Sequence, residues 1–78
     1  MLSTYFIGLT YTPTENKWCF SDVTNSTGPY DSYGAAKAAC DSLPTCNKFY
    51  KDDAGKYFTC PLDSFVDDNT GFTLFTLG

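Results

Sequence analysis

Four cysteines, Cys19, Cys40, Cys46 and Cys60, are the residues of this 78-residue chain whose type and spacing most clearly suggest chemistry. Two chemistries suit four cysteines. Structural zinc sites use close pairs separated by a few residues, often completed by histidine. Here no close pair occurs, and the chain has no histidine. An even count in a short chain is the pattern of a disulfide framework, which forms in oxidising surroundings. Both disulfides are therefore expected, and no zinc.

Other reactive groups lead nowhere comparable. Without histidine there is no imidazole base and no histidine-based triad. The acidic pairs Asp52-Asp53 and Asp67-Asp68 lie in polar stretches expected to be turns, where aspartate commonly serves the backbone. The run Asp67-Asp68-Asn69-Thr70-Gly71 carries hard oxygen donors near a glycine but lacks the spacing and late glutamate of an EF-hand loop. A catalytic thiol needs a free cysteine, which an even disulfide set does not leave. No enzyme, metal or cofactor is expected.

Composition narrows the partners. Nine acidic and five basic residues give a net charge of −4, and the lysines are dispersed, which disfavours nucleic acid and anionic membrane surfaces. No stretch is long and apolar enough for a membrane helix. The segment after Met1 lacks the basic start and longer apolar run of a signal peptide. The expectation is either a leader removed before this numbering or a cytoplasmic product oxidised later, as a virion component would be. Asn25-Ser26-Thr27 is a glycosylation sequon, making Asn25 the candidate acceptor.

The elements that must position these residues follow from periodicity. Leu2 to Tyr11 and Lys17 to Val23 read as strands joined by a turn at Thr12–Asn16, and the two are expected to form a hairpin. Ser32 to Ser42 reads as a helix capped by Asp31 or Ser32, with Ala36, Ala39, Cys40 and Leu43 on one stripe, ended by Pro44. Asn47–Lys51 and Lys56–Pro61 read as a second hairpin around Asp52–Gly55. Asp63–Gly71 reads as an acidic loop and Phe72–Leu77 as a last strand. The expected fold is α+β in a single domain over residues 1–78: one short helix packed on a mainly antiparallel sheet and stapled by disulfides.

From Tyr33 to Cys60 the chain resembles the PAN/apple-like domains. The resemblance is carried by Ala35-Ala36-Lys37-Ala38-Ala39-Cys40, Leu43-Pro44-Thr45-Cys46, Phe49-Tyr50 and Tyr57-Phe58-Thr59-Cys60. It covers about the middle third of the chain and implies a sheet cradling one helix, in an adhesive module that binds protein or carbohydrate. Trp18-Cys19-Phe20 and the alanine-rich helix are also similar to the first half of a C-type lectin. That fold needs a longer chain, and its calcium-site tripeptides are missing. For the cysteines, a fold-back past Pro44 suits Cys40–Cys46 and leaves Cys19–Cys60. The alternative joins Cys40 to Cys60 and Cys19 to Cys46.

Fourteen aromatic residues exceed what one helix on one sheet needs to close a core. Tyr5, Tyr11, Trp18, Tyr30, Tyr50 and Tyr57 are the candidates for surface contact. The expected function is a non-enzymatic binding or assembly module making protein contacts, with itself or with another extracellular or virion component. It would be a structural subunit or an adhesin, homo-oligomeric or part of an assembly, outside the cell or on a virion surface. Its uncharged terminal strands, Leu2–Tyr11 and Phe72–Leu77, are expected to form the contacts; the alternative is that these two strands pair and cover each other. The other classes are a carbohydrate-binding module using Trp18 beside Asn16 and Asp22, and a secreted inhibitor or toxin presenting the Asp63–Gly71 loop.

Overall fold

The computed structural model describes residues 10–21, 26–61 and 63–78. Five elements follow in order: β1 (Tyr11–Phe20), α1 (Tyr33–Ser42), β2 (Lys48–Lys51), β3 (Tyr57–Thr59) and β4 (Phe65–Leu77). The strands form one antiparallel sheet in the order β1-β4-β2-β3. The α+β expectation holds at this level: one short helix lies against an antiparallel sheet tied by two disulfides, Cys19–Cys60 and Cys40–Cys46.

The helix begins where a side chain can satisfy its free amides. Ser32 adopts an extended backbone and its Oγ accepts from the Ala35 amide at 3.1 Å. Leu43 closes the other end, its amide donating to the Cys40 carbonyl, and Pro44 follows. Ala36 and Cys40 are fully buried, and small side chains there let the helix lie close on the sheet. Leu43, expected on the buried stripe, is 40 % exposed because the chain has already left the helix at the cap. The hairpin between β2 and β3 forms as expected. Asp52 organises its turn, its Oδ1 accepting from the amides of Ala54 and Lys56, while Gly55 takes the left-handed backbone that the turn requires.

The outer strands depart from expectation. Thr12–Asn16 is not a turn: Tyr11–Phe20 is one strand, paired with β4 rather than in a hairpin with Leu2–Tyr11, most of which lies outside the described residues. Proline survives here because β1 is an edge strand among the described residues. The Gly78 amide bonds the Thr10 carbonyl, so by antiparallel alternation Tyr11, Pro13 and Glu15 turn their backbone groups outward, where a missing N–H costs nothing. Asp63–Gly71 is likewise not a loop throughout. Phe65–Asp68 pairs with Lys17–Phe20, giving a two-stranded ribbon. Phe72–Leu77 is not an exposed terminal edge either: it runs between β1 and β2.

A corner separates this ribbon from the sheet. Pairing passes from Glu15↔Thr73 to Lys17↔Asp68, so Asn16 alone faces the segment Asn69–Phe72. Asn16 and Gly71 both take positive φ, 62° and 90°, and the Asn16 Oδ1 accepts from the Gly71 amide at 3.1 Å. Asn16 tolerates this conformation through its short polar side chain and Gly71 through its missing Cβ. In a straight sheet the ribbon would run away from Cys60, which follows β3 at the Lys48 end. The Cys19–Cys60 bridge, with Cα atoms 5.9 Å apart, shows that the ribbon instead turns back over the sheet face opposite the helix.

Two small cores result. Tyr11, Ala36, Cys40 and Phe49 form one on the helix side, extended by Tyr57 and Phe75. Cys19, Tyr50, Cys60 and Leu74 form the other beneath the ribbon, extended by Trp18, Phe58 and Phe72. Strand alternation explains the split, since the neighbours Phe49 and Tyr50 face opposite ways.

Candidate functional site

The disulfides account for every cysteine, so no thiol remains for chemistry. Cys40–Cys46 closes the helix onto the turn behind it, and Cys19–Cys60 ties the ribbon to the end of β3. No cluster of three or more potential metal ligands occurs among the described residues. The oxygen-rich run Asp67–Gly71, expected to be a turn, is strand and corner instead: Asp67 accepts from the Asp68 amide through Oδ1, and Asp68 pairs with Lys17.

The six aromatic candidates divide. Tyr5 lies outside the described residues. Tyr11 and Tyr50 are buried, each 8 % exposed, which corrects their expected surface position: both sit where sheet alternation turns them into a core. The Tyr11 hydroxyl donates to Asp41 at 2.6 Å, and the Lys37 ammonium stands 5.9 Å from its ring centre. Burial, with the neighbouring Asp41 carboxylate, pushes the Tyr11 phenol far above its ordinary value. Burial pushes the Asp41 carboxyl up, but hydrogen bonds from Tyr11 and Lys37 outweigh it and hold the group below the usual carboxylate range. Burial also raises the Tyr50 phenol. Tyr30 and Tyr57 are half-buried and joined by reciprocal backbone hydrogen bonds.

Trp18 is half-buried and belongs to a continuous run of rings. Phe58 stacks on Tyr50 at 5.3 Å between centroids, and Tyr50 stacks on Phe72 at 5.8 Å. Trp18 meets Phe72 and Tyr50 edge-on, each at 5.8 Å, and stacks with Phe20 at 5.6 Å. Phe20 reaches Phe65 at 5.6 Å. The run therefore passes from the second core to the surface, where Phe65 is 55 % and neighbouring Val66 is 51 % exposed. Sequence reasoning missed Phe65 because its segment was taken for a loop. The alternation of Phe65 and Asp67 against Trp18 and Phe20 was the signal available.

The register sorts the ribbon by face. Trp18↔Asp67 and Phe20↔Phe65 are cross-strand partners, so these four side chains share one face. Lys17↔Asp68 and Cys19↔Val66 share the other. Of the carbohydrate candidates around Trp18, the Asn16 side-chain oxygen accepts from the Gly71 amide at the corner, and Asp22 lies outside the described residues.

The sheet edges are closed to simple strand addition. Beside β3, Thr27 and Tyr30 hydrogen-bond Thr59 and Tyr57 through their backbones, and the Thr27 and Thr59 hydroxyls meet at 2.5 Å. Gly28 allows this approach, since a Cβ there would stand 2.7 Å from the Tyr57 carbonyl. Pro13 interrupts the outer edge of β1, and Asp67 and Asp68 charge the ribbon portion of β4. The sequon's Thr27 thus has a structural task; Asn25 lies outside the described residues.

Among the described residues no helix is long and apolar enough to cross a membrane, which with the disulfides is compatible with a secreted protein. No family model, curated protein or solved structure matches the chain.

Proposed function

We propose that the chain is a non-enzymatic protein-contact module, an adhesin or structural subunit outside the cell, and that it binds through the outer end of the β1–β4 ribbon. One observation carries this: the aromatic run that starts in the second core passes through Phe20 and reaches the surface at Phe65 instead of ending inside. Exposed apolar side chains continuous with a rigid core give a partner area without a large ordering cost. The disulfide from Cys19 to Cys60 holds that surface in place. The order helix, cysteine turn, hairpin over Tyr33–Cys60 supports kinship with the PAN/apple-like domains, whose members are adhesive. The proposed surface differs from the terminal strands first expected: Phe72–Leu77 runs between β1 and β2, and most of Leu2–Tyr11 lies outside the described residues.

Panning a random-peptide display library on the immobilised domain tests the assignment. The expected outcome is enriched peptides whose binding is lost on Phe65→Ser and kept on Ala54→Ser, in the hairpin turn. Peptides indifferent to Phe65→Ser would place the contact elsewhere. Saturable binding on a glycan array that survives Phe65→Ser would favour the carbohydrate class.

A further inference from the structure

Asp67 stands at the margin of the aromatic face, and among the described residues no cation neutralises it. It is the cross-strand partner of Trp18, on the same ribbon face as Phe20 and Phe65. Cross-strand partners hold their Cβ atoms about 4.5–5.5 Å apart, so its carboxylate lies beside the indole. Its Oδ1 accepts from the Asp68 amide, and among the described residues Oδ2 has no hydrogen-bond partner. The ribbon's own lysine, Lys17, lies on the opposite face and pairs with Asp68. Among the described residues Asp67 makes no ion pair. An exposed ring face beside an unpaired carboxylate attracts a cation twice, through the ring quadrupole and through the charge.

We infer that this face receives an arginine or lysine side chain of a protein partner, lying over the Phe65–Phe20 rings and paired with Asp67. The inference rests on the protein-contact reading of the ribbon and names its partner's chemistry. A second copy fits poorly. The chain carries −4, three of its five lysines already hold Asp68, Asp41 and Asp31, and two apposed ribbon ends would set Asp67 and Asp68 against their like. The occupant is therefore a different protein, with a basic residue flanked by apolar ones. This replaces the homo-oligomer expected from uncharged terminal strands.

Trp18 is the sole tryptophan, so its fluorescence reports on this face directly. The probes are three short Gly-Ser peptides with a central leucine flanked by arginines, by glutamines or by glutamates. The arginine peptide is expected to give a saturable change in Trp18 emission, and the glutamine and glutamate peptides to bind more weakly in that order. Asp67→Asn should weaken the arginine peptide roughly two- to fivefold, the range of an exposed ion pair. Asp53→Asn removes the same charge from the exposed hairpin turn and should leave binding unchanged. Both variants are compared at matched urea midpoints, so that unfolding does not pass for lost binding. Equal losses in the two variants would mean attraction by net charge alone and would overturn the inference. Equal affinity for the arginine and glutamine peptides, both lost on Phe65→Ser, would overturn the cation while leaving the contact surface intact. Silence from all three peptides, together with panning that yields no Phe65-dependent binder, would remove the contact surface itself.

Discussion

Removing the Cys19–Cys60 bridge should cost far more than removing Cys40–Cys46. The two bridges close loops with sequence separations of 41 and 6. In the chain-entropy model the first loop restrains the unfolded chain by about 4 kcal/mol and the second by about 2.3 kcal/mol. A core of this size alone supplies only about 3–5 kcal/mol. Cys19→Ala/Cys60→Ala should therefore lose about 4 kcal/mol, as much as the core alone supplies, whereas Cys40→Ala/Cys46→Ala should lose only about 2.3 kcal/mol and keep the higher midpoint. The cavities left behind do not reverse the order, because Cys19, Cys60 and Cys40 are all buried. Urea titrations followed by near-ultraviolet circular dichroism measure both. The longer bridge also holds the ribbon against the sheet, so its loss should expose Trp18 and shift its emission to the red. Equal costs, or a larger cost for the short loop, would refute the view that the ribbon fold-back is the restrained feature.

Three further outcomes follow from local chemistry. Tyr11→Phe should cost about 1.5–3 kcal/mol near neutral pH, the worth of a hydrogen bond to a charged group. Asp41 is held below its ordinary 3.8, so its contribution is present above that value and fades as pH falls through the lower folded one; Tyr11 is held above 10.0, so its contribution is full below 10.0 and fades as pH rises. The gap between wild type and variant should thus narrow below pH 3.8 and above pH 10.0, as urea midpoints across pH would show; a flat gap would contradict the Tyr11–Asp41 assignment. Thr27→Ala should lower stability by about 1 kcal/mol through its lost bond to Thr59, while Thr27→Ser, which keeps the hydroxyl, should lose less than half as much; equal losses would remove that latch. Pro13→Val restores an outward amide on the β1 edge and should produce concentration-dependent association in sedimentation velocity, whereas an unchanged sedimentation coefficient would show that proline is not what guards the edge.

The helix and the β2–β3 hairpin were legible because local signals decide them. Ser32 is a cap, the alanines favour helix, Pro44 stops it, and Asp52 with Gly55 makes a turn on its own. The preferred cysteine pairing was legible for Cys40–Cys46 on similar local grounds, and the other bridge followed by elimination. The outer strands were not legible. Pro13 and Asn16 are turn residues by type, yet an edge position excuses the proline and a bulge employs the asparagine. Asp67 and Asp68 look like loop acids, but strand pairing to Trp18 and Lys17 overrides composition. Both misreadings hide one long-range fact, the pairing of Tyr11–Phe20 with β4, which no local window contains. The contact candidates suffered accordingly: Tyr11 and Tyr50 went to the cores, and Phe65 was overlooked.

Chemical-shift mapping on isotope-labelled protein, titrated with the peptides that panning enriches, tests the central claim most directly. The ribbon account predicts that perturbations centre on the Trp18 indole, Phe20 and Phe65–Asp67, and vanish in Phe65→Ser. Perturbations running instead along Tyr11–Glu15, or confined to the Asp52–Lys56 turn, would contradict it.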